Sequence, residues 1–97
     1  MKQIELKIVT GDNGLVVDYK EVITMAARLH PQGITIDDME KAVRVLSAVK
    51  RADGVLKLED ADWEVLKTYI KVYPFSVVDE TLIQFKKDID SAPTVEV

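Results

Sequence analysis

Residues 54–73 read GVLKLEDADWEVLKTYIKVY, and their pattern changes part of the way along. A glycine leads into a short extended piece at residues 55–58, and three acidic residues then load the start of a helix. Trp63, Leu66, Ile70 and Tyr73 follow at helical spacing. The pattern predicts a helix over residues 60–72, which Pro74 ends because a proline restricts the residue before it.

The preceding segment has the same order of features. Residues 34–36 form a very short extended piece, and Asp37 with Glu40 has the spacing of a capping box. We predict that the helix ends at Gly54 and that residues 34–36 pair with residues 55–58 as a minimal two-stranded ribbon. The predicted core stripe of this helix is Met39, Ala42, Val43, Leu46 and Val49.

A β-hairpin is predicted at the N-terminus. Apolar and polar residues alternate over residues 2–9, the GDNG turn occupies residues 11–14, and a short second strand follows over residues 15–17. Asp18 with Glu21 then caps a helix predicted over residues 19–29, which ends before Pro31. Its predicted core stripe is Val22, Met25, Ala26 and Leu29.

The last predicted helix follows Pro74, with Ser76 and Asp79 offering a cap. Its predicted stripe is Val78, Leu82, Phe85 and Ile89. Residues 91–97 lack periodicity and are expected to fray. The prediction is therefore one α+β domain over residues 1–90, with an N-terminal β-hairpin followed by a small bundle of four helices.

Composition narrows the classes of function. The 97 residues contain no cysteine, which excludes disulfides, thiolate metal sites and cysteine nucleophiles, and a cytoplasmic location is expected. No stretch is long enough to cross a bilayer. Thirteen Lys and Arg against 17 Asp and Glu give a net charge of −4, which makes nucleic acid or anionic lipid an unlikely partner.

No motif indicates catalysis, a metal or a cofactor. The acidic turn at Asp53 and Gly54 has the wrong residues for a calcium loop, since Val49 and Arg51 would stand at its first ligand positions. His30 is the only histidine, and its place at a helix end favours a structural bond to terminal carbonyls. We predict that the protein is not an enzyme and takes no cofactor.

Aromatic residues cluster around the Tyr-Pro-Phe break. Tyr69 falls off the core stripe of its helix, and Tyr73 and Phe75 flank Pro74. Exposed aromatics in a rigid turn are good interface anchors, although filling the corner between two helices explains them equally well. Tyr69, Tyr73 and Phe75 are the candidate protein interface.

Three runs carry a resemblance: VKRADGVLKLEDADWEVLK from residue 49, KVYPFSVVDE from residue 71 and LIQFKKDID from residue 82. Over about residues 40–90 the chain resembles small proteins of about this length encoded by tailed phages and prophages. The shared features are hydrophobic pattern and turn chemistry. The resemblance implies a phage setting and a non-enzymatic accessory role.

Three functions remain open. The first is a protein-binding accessory of phage assembly or phage–host control, with a phage or host protein as partner and self-association through the hairpin edge as a further option. The second is an acidic inhibitor of a host nucleic-acid-binding protein, acting through an acidic face. The third is a small DNA-binding regulator that uses Lys41 and Arg44. The acidic face would comprise Asp37, Asp38, Asp60, Asp62 and Glu64.

Overall fold

The computed structural model describes residues 1–95, which form four strands and four helices. In chain order these are β1 (Lys2–Glu5), β2 (Ile8–Thr10), β3 (Val16–Asp18), α1 (Tyr19–Arg28), α2 (Ile36–Arg51), β4 (Val55–Leu58), α3 (Asp60–Val72) and α4 (Glu80–Asp90). The strands make two separate two-stranded antiparallel sheets. The predicted α+β class and the N-terminal strands are confirmed.

The first sheet joins the two halves of the chain. β1 pairs with β4, so that Lys2 lies opposite Leu58 and Glu5 lies opposite Val55. The predicted ribbon between residues 34–36 and 55–58 is therefore wrong. The reason is local, because the hydroxyl of Thr35 accepts a hydrogen bond from the backbone N–H of Asp38 at 3.2 Å and starts α2 there. The predicted cap at Asp37 lies two residues too late.

The second sheet is the N-terminal hairpin. β2 pairs with β3 around the GDNG turn, where Gly14 has a φ of 85° that favours glycine. The single strand predicted over residues 2–9 is interrupted between the two sheets. There the Leu6 N–H donates to the Gly54 carbonyl at 2.8 Å, and the Lys7 carbonyl accepts from the Tyr19 N–H at 3.0 Å.

The end of the described chain runs along β1. The Gln3 N–H donates to the Pro93 carbonyl at 3.2 Å, the Val95 N–H donates to the Met1 carbonyl at 2.7 Å, and Ala92 is buried. Thr94 forms an isolated bridge with Lys2. Up to Val95 the structure thus differs from the prediction of a frayed tail over residues 91–97, because backbone groups of β1 are available to pair. Residues 96 and 97 lie outside the described residues.

The predicted stripes of the first two helices are correct only in part, since Ala26, Ala42 and Val49 are buried as predicted. Met25 and Leu29 of the α1 stripe are exposed, as are Met39 and Val43 of the α2 stripe. α1 buries Tyr19, Ile23, Ala26 and Ala27, and α2 buries Ala42, Val45 and Val49. Both sets also fit a period of 3.6 residues, and the small alanine side chains allow α1 to pack closely against α2 and α3.

Helix α3 occupies the predicted residues, and Trp63 and Phe85 lie in the core as expected. The Trp63 indole N–H donates to the Ile89 carbonyl at 3.2 Å, which joins α3 to the end of α4. His30 makes the expected contact with a terminal carbonyl, since its Nε2 lies 2.8 Å from the Ala27 oxygen. Within residues 1–95 no helix has the length and apolar character needed to cross a membrane.

Candidate protein-binding surface

Of the three candidate interface residues, Tyr69 is part of the core. Its side chain is 9% exposed, and its hydroxyl donates to the Asp38 carbonyl at 3.1 Å. Its ring packs edge-on against His30, with 4.8 Å between the ring centroids. Burial, together with the nearby Asp38 carboxylate, raises the pKa of Tyr69. Tyr69 therefore ties α3 to the start of α2, and its ring is not presented to a partner.

The other two candidates form the break between α3 and α4. The rings of Tyr73 and Phe75 pack edge to face at 4.8 Å, and Phe75 is 38% exposed. The Phe75 N–H donates to the Tyr73 carbonyl at 3.1 Å across Pro74, which closes a three-residue turn. The proline and the aromatic pair give this turn a defined shape.

The valines that follow this turn are unusually exposed. Val78 is 99% exposed. Val77 before it and Ile83 in the following helix are also exposed. The prediction that Val78 belongs to the core stripe of the last helix is therefore wrong. The helix begins later, because Asp79 is its N-cap and accepts from the Thr81 N–H at 2.7 Å. The predicted capping residue Ser76 lies outside the helix.

These side chains belong to one apolar region, which we call the corner surface. Two shallow grooves, of about 250 Å³ and about 140 Å³, lie side by side and share Tyr73, Phe75, Val77 and Leu82. Val16 and Met25 line the far side of the smaller groove. The corner surface thus consists of Val16, Met25, Tyr73, Phe75, Val77, Val78, Leu82 and Ile83.

The hairpin turn supports the corner surface from one side. A Cβ built on Gly11 would lie 2.6 Å from the Thr81 hydroxyl and 3.2 Å from the Asp79 carboxylate, so the turn and the start of α4 are in close contact. Hydrogen bonds from the Thr81 backbone and hydroxyl lower the pKa of Asp79. Contacts of this kind hold the 73–79 segment in place before any partner arrives.

Charges around the larger groove are mixed. Lys71, Lys86 and Asp79 lie at its edge, and the Lys86 Nζ is 2.6 Å from an Asp90 carboxylate oxygen. Neither sign of charge dominates. Contacts made by this surface are therefore expected to depend on apolar burial and to be weakly sensitive to salt.

A polar cluster lies elsewhere, between the hairpin and α4. The Tyr19 hydroxyl donates to Asp88 at 2.6 Å, and the Lys7 Nζ lies 3.6 Å from the same carboxylate. Burial and the bond to Asp88 raise the pKa of Tyr19, whereas bonds from Tyr19 and Gln84 more than offset burial and lower that of Asp88. Neither group titrates near neutral pH, so the arrangement is typical of a structural hydrogen bond.

Replacing Tyr19 by phenylalanine tests that interpretation. We expect Tyr19→Phe to lower the free energy of unfolding at pH 7 by about 1–3 kcal/mol, because it removes a hydrogen bond to a charged group. The depressed pKa of Asp88 stabilises the fold above the ordinary carboxyl pKa, and this contribution is lost as pH falls below it. Urea unfolding from pH 7 to pH 3 should show a weaker acid dependence in the variant.

Tyr73→Phe is the matched control, since it deletes the same hydroxyl from a tyrosine that makes no side-chain hydrogen bond within residues 1–95. It should change stability by less than about 0.5 kcal/mol. Equal stability of the two variants, or an unchanged acid slope in Tyr19→Phe, contradicts the structural role of the pair.

The acidic face and the basic face proposed from the sequence largely neutralise each other. Arg44 lies 3.1 Å from Asp62, and Lys41 lies 3.6 Å from Asp38. Asp60 is 3.5 Å from the N-terminal amine, and Glu64 is 3.8 Å from Lys67. Four of the five acids therefore have a nearby cation, and both cations proposed for DNA binding are engaged. No group of three metal-ligating side chains occurs in residues 1–95.

Comparison with protein-family models, with curated proteins and with solved structures found no match to this chain. The fold and the surface define a small α+β protein that presents an apolar surface where its last two helices meet. The sequence indicated Tyr73 and Phe75 but not Val77 and Val78. The signal in the sequence is the pair of adjacent valines next to a proline turn, because one helical stripe can bury only one of two adjacent residues.

Proposed function

We propose that the protein is a non-enzymatic accessory protein that binds another protein through the corner surface. The observation that carries the proposal is Val78, whose side chain is 99% exposed and lines the larger groove of the corner surface. Single exposed aliphatic residues are common, but a contiguous apolar region on a supported surface marks an interaction site more often. Within residues 1–95, core packing gives no reason for an aliphatic side chain at Val78, which is almost fully exposed.

The shape of the surface favours a protein partner over a small molecule. Its grooves, at about 250 Å³ and about 140 Å³, are smaller than the roughly 300–1,000 Å³ of small-molecule pockets. Shallow neighbouring grooves separated by an aromatic pair suit the apolar side chains of a partner that cover Phe75 and Val78 together. The partner face is expected to be apolar and without a strong charge.

The phage setting rests on the sequence resemblance, which spans about residues 40–90 and includes the whole KVYPFSVVDE run of the corner surface. On that basis the partner is a phage or host protein, and the role is assembly or phage–host control in the cytoplasm. The ion pairs on α2 and α3 give less support to the acidic-inhibitor and DNA-binding alternatives, because both need an unopposed charge.

Val78→Asp tests the proposal. We expect capture of the partner from lysate of the source cells, made with and without phage induction, to fall at least about tenfold, since a charge would be buried in the contact. The wild-type complex should resist high salt. Ile36→Asp is the matched control, because it adds the same charge at an aliphatic residue that is 69% exposed outside the corner surface.

Two results would contradict the proposal. One is equal capture by Val78→Asp, Ile36→Asp and the wild type. The other is recovery of a host nucleic-acid enzyme in a complex that dissociates at high salt and is unaffected by Val78→Asp. That result favours the acidic inhibitor instead. Sedimentation of the purified wild type and Val78→Asp shows whether a second copy of the chain is the partner.

A further inference from the structure

Another groove lies between α1 and α2, outside the corner surface, and it is bordered by positive charge. It has a volume of about 320 Å³, and its apolar floor includes Val43 and Leu46. Val43 is 54% exposed although the sequence assigns it to a core stripe. The helix therefore presents aliphatic surface on a face that no other part of residues 1–95 covers.

Three cations border this groove, and no acidic residue lines it. Lys20 and Arg28 lie two turns apart on α1, and Lys50 lies on α2. None of the three side chains takes part in an ion pair within residues 1–95. In a chain whose net charge is −4, this is a local reversal of sign.

The position of Lys20 is hard to explain by stability. It is the second residue of α1, where the helix dipole disfavours a cation. Lys50 stands in the last turn of α2, where the dipole favours it, so its charge alone proves nothing. Lys20 thus stands at the end of α1 that disfavours a cation and Arg28 at the end that favours one, and both border the α1 side of the groove.

We propose that the α1–α2 groove binds an acidic, amphipathic peptide segment of a partner protein, independently of the corner surface. Carboxylates of the segment pair with Lys20, Arg28 and Lys50, and its apolar side chains cover Val43 and Leu46. Arg28 lies eight residues after Lys20 on the same helix, or about 12 Å along it at 1.5 Å per residue. A segment with carboxylates spread along it spans that distance, whereas a single small anion does not.

The lining of the groove disfavours a nucleic acid. Proteins that bind single strands stack bases on aromatic rings, and no aromatic side chain lines this groove. Three cations can also neutralise only a few phosphates, fewer than the roughly 6–10 contacts that give DNA-binding proteins their steep salt dependence. The apolar floor instead matches the aliphatic face of a peptide helix.

Selection from a random peptide display library tests the chemistry directly. The immobilised wild-type protein is the target, and the groove variant, Lys20→Glu with Lys50→Glu, is used as the target of a separate, parallel selection. We expect the enriched peptides to carry Asp or Glu on one helical face and aliphatic residues on the other. Lys57→Glu with Lys87→Glu is the control, because it makes the same change of charge at two exposed lysines outside the groove.

The best enriched peptide is then measured by fluorescence anisotropy beside a single-stranded DNA probe. We expect the groove variant to weaken peptide binding at least about tenfold, the control variant to leave it within about twofold, and added salt to weaken it further. Circular dichroism of both variants checks that they fold. The Val78→Asp variant should bind the peptide as tightly as the wild type does, which separates this groove from the corner surface.

Four outcomes overturn the proposal. Enriched peptides that are basic or neutral do so, as do peptides that bind the groove variant as well as the wild type. If the DNA probe binds more tightly than every peptide, and the groove variant loses this DNA binding, the groove is a nucleic-acid site instead. Self-association that the groove variant alone abolishes assigns it to a second copy of the chain.

Discussion

Trp63→Ala is expected to lower the free energy of unfolding by about 3–5 kcal/mol. The indole is buried, so truncation leaves a large cavity among the core side chains. It also removes the hydrogen bond to the Ile89 carbonyl. That carbonyl also accepts from the Ala92 N–H at 3.4 Å, but it has no helical partner four residues later, because residue 93 is a proline. Urea unfolding followed by far-ultraviolet circular dichroism measures the loss.

The two contributions of Trp63 can be separated. Trp63→Phe keeps most of the apolar volume and deletes the donor, so it should cost about 1–3 kcal/mol, less than the alanine variant. An effect of Trp63→Phe below about 0.5 kcal/mol would show that the indole hydrogen bond does not support the end of α4.

Phe85→Ala is expected to have an effect of the same size, about 3–5 kcal/mol. Phe85 is buried, and its ring packs edge to face against Tyr19 with 4.7 Å between the centroids. A domain of this size has about 5–15 kcal/mol of stability in all, so a large fraction would be lost. Thermal unfolding should shift down by more than about 10 °C.

Ile83→Ala is the control for Phe85→Ala. It shortens an exposed aliphatic side chain on the same helix, and we expect a change of less than about 0.5 kcal/mol. Similar melting temperatures for the two variants would contradict the placement of Phe85 in the core. Phe85 and Ile83 both line the larger groove of the corner surface. Ile83→Ala therefore changes that surface without the loss of stability expected for Phe85→Ala.

Local chemistry made much of the secondary structure predictable. Helix α3 lies over the predicted residues 60–72, because acidic residues before Trp63 and the proline at residue 74 mark both ends. Asp18 caps α1 as predicted, accepting from the N–H groups of Lys20 and Glu21. These features depend on residues within one or two turns of each other.

Pairing between distant segments was not predictable in this way. By hydrophobic pattern alone, β4 could pair equally well with β1 or with residues 34–36. A short apolar run does not indicate which strand is its partner. The pairing of β4 depends on Thr35, because its hydroxyl caps α2 and fixes Ile36 as the first residue of that helix. The segment from Ala92 to Val95 was assigned to a frayed end for the same reason, since its bonds go to β1.

Which face of a helix is buried was also undetermined where two stripes compete. In α2 both Val43 and Val45 fit an apolar stripe, and only packing against the neighbouring helices selects Val45 for the core. The side chains left outside, Val43 and Val78 among them, are the ones that form the two candidate binding surfaces. Prediction of the site from sequence therefore found Tyr73 and Phe75 and missed the exposed valines.

Two surfaces of different chemistry lead to opposite expectations for salt. Binding at the corner surface should persist at high ionic strength, because its charges are mixed and its contacts are apolar. Binding at the α1–α2 groove should weaken, because Lys20, Arg28 and Lys50 supply attraction there. The salt dependence of a complex of the wild type, read together with its response to Val78→Asp and to Lys20→Glu with Lys50→Glu, therefore indicates which surface it uses.

Site-specific photo-crosslinking tests the central claim most directly. A photoreactive benzophenone amino acid replaces Val78 in one version of the chain and Ile36 in another, and both are irradiated in the source cells. The corner surface as binding site predicts a discrete crosslinked product from position 78 and none from position 36. Equal crosslinking at the two positions, or a product from position 36 alone, would contradict it.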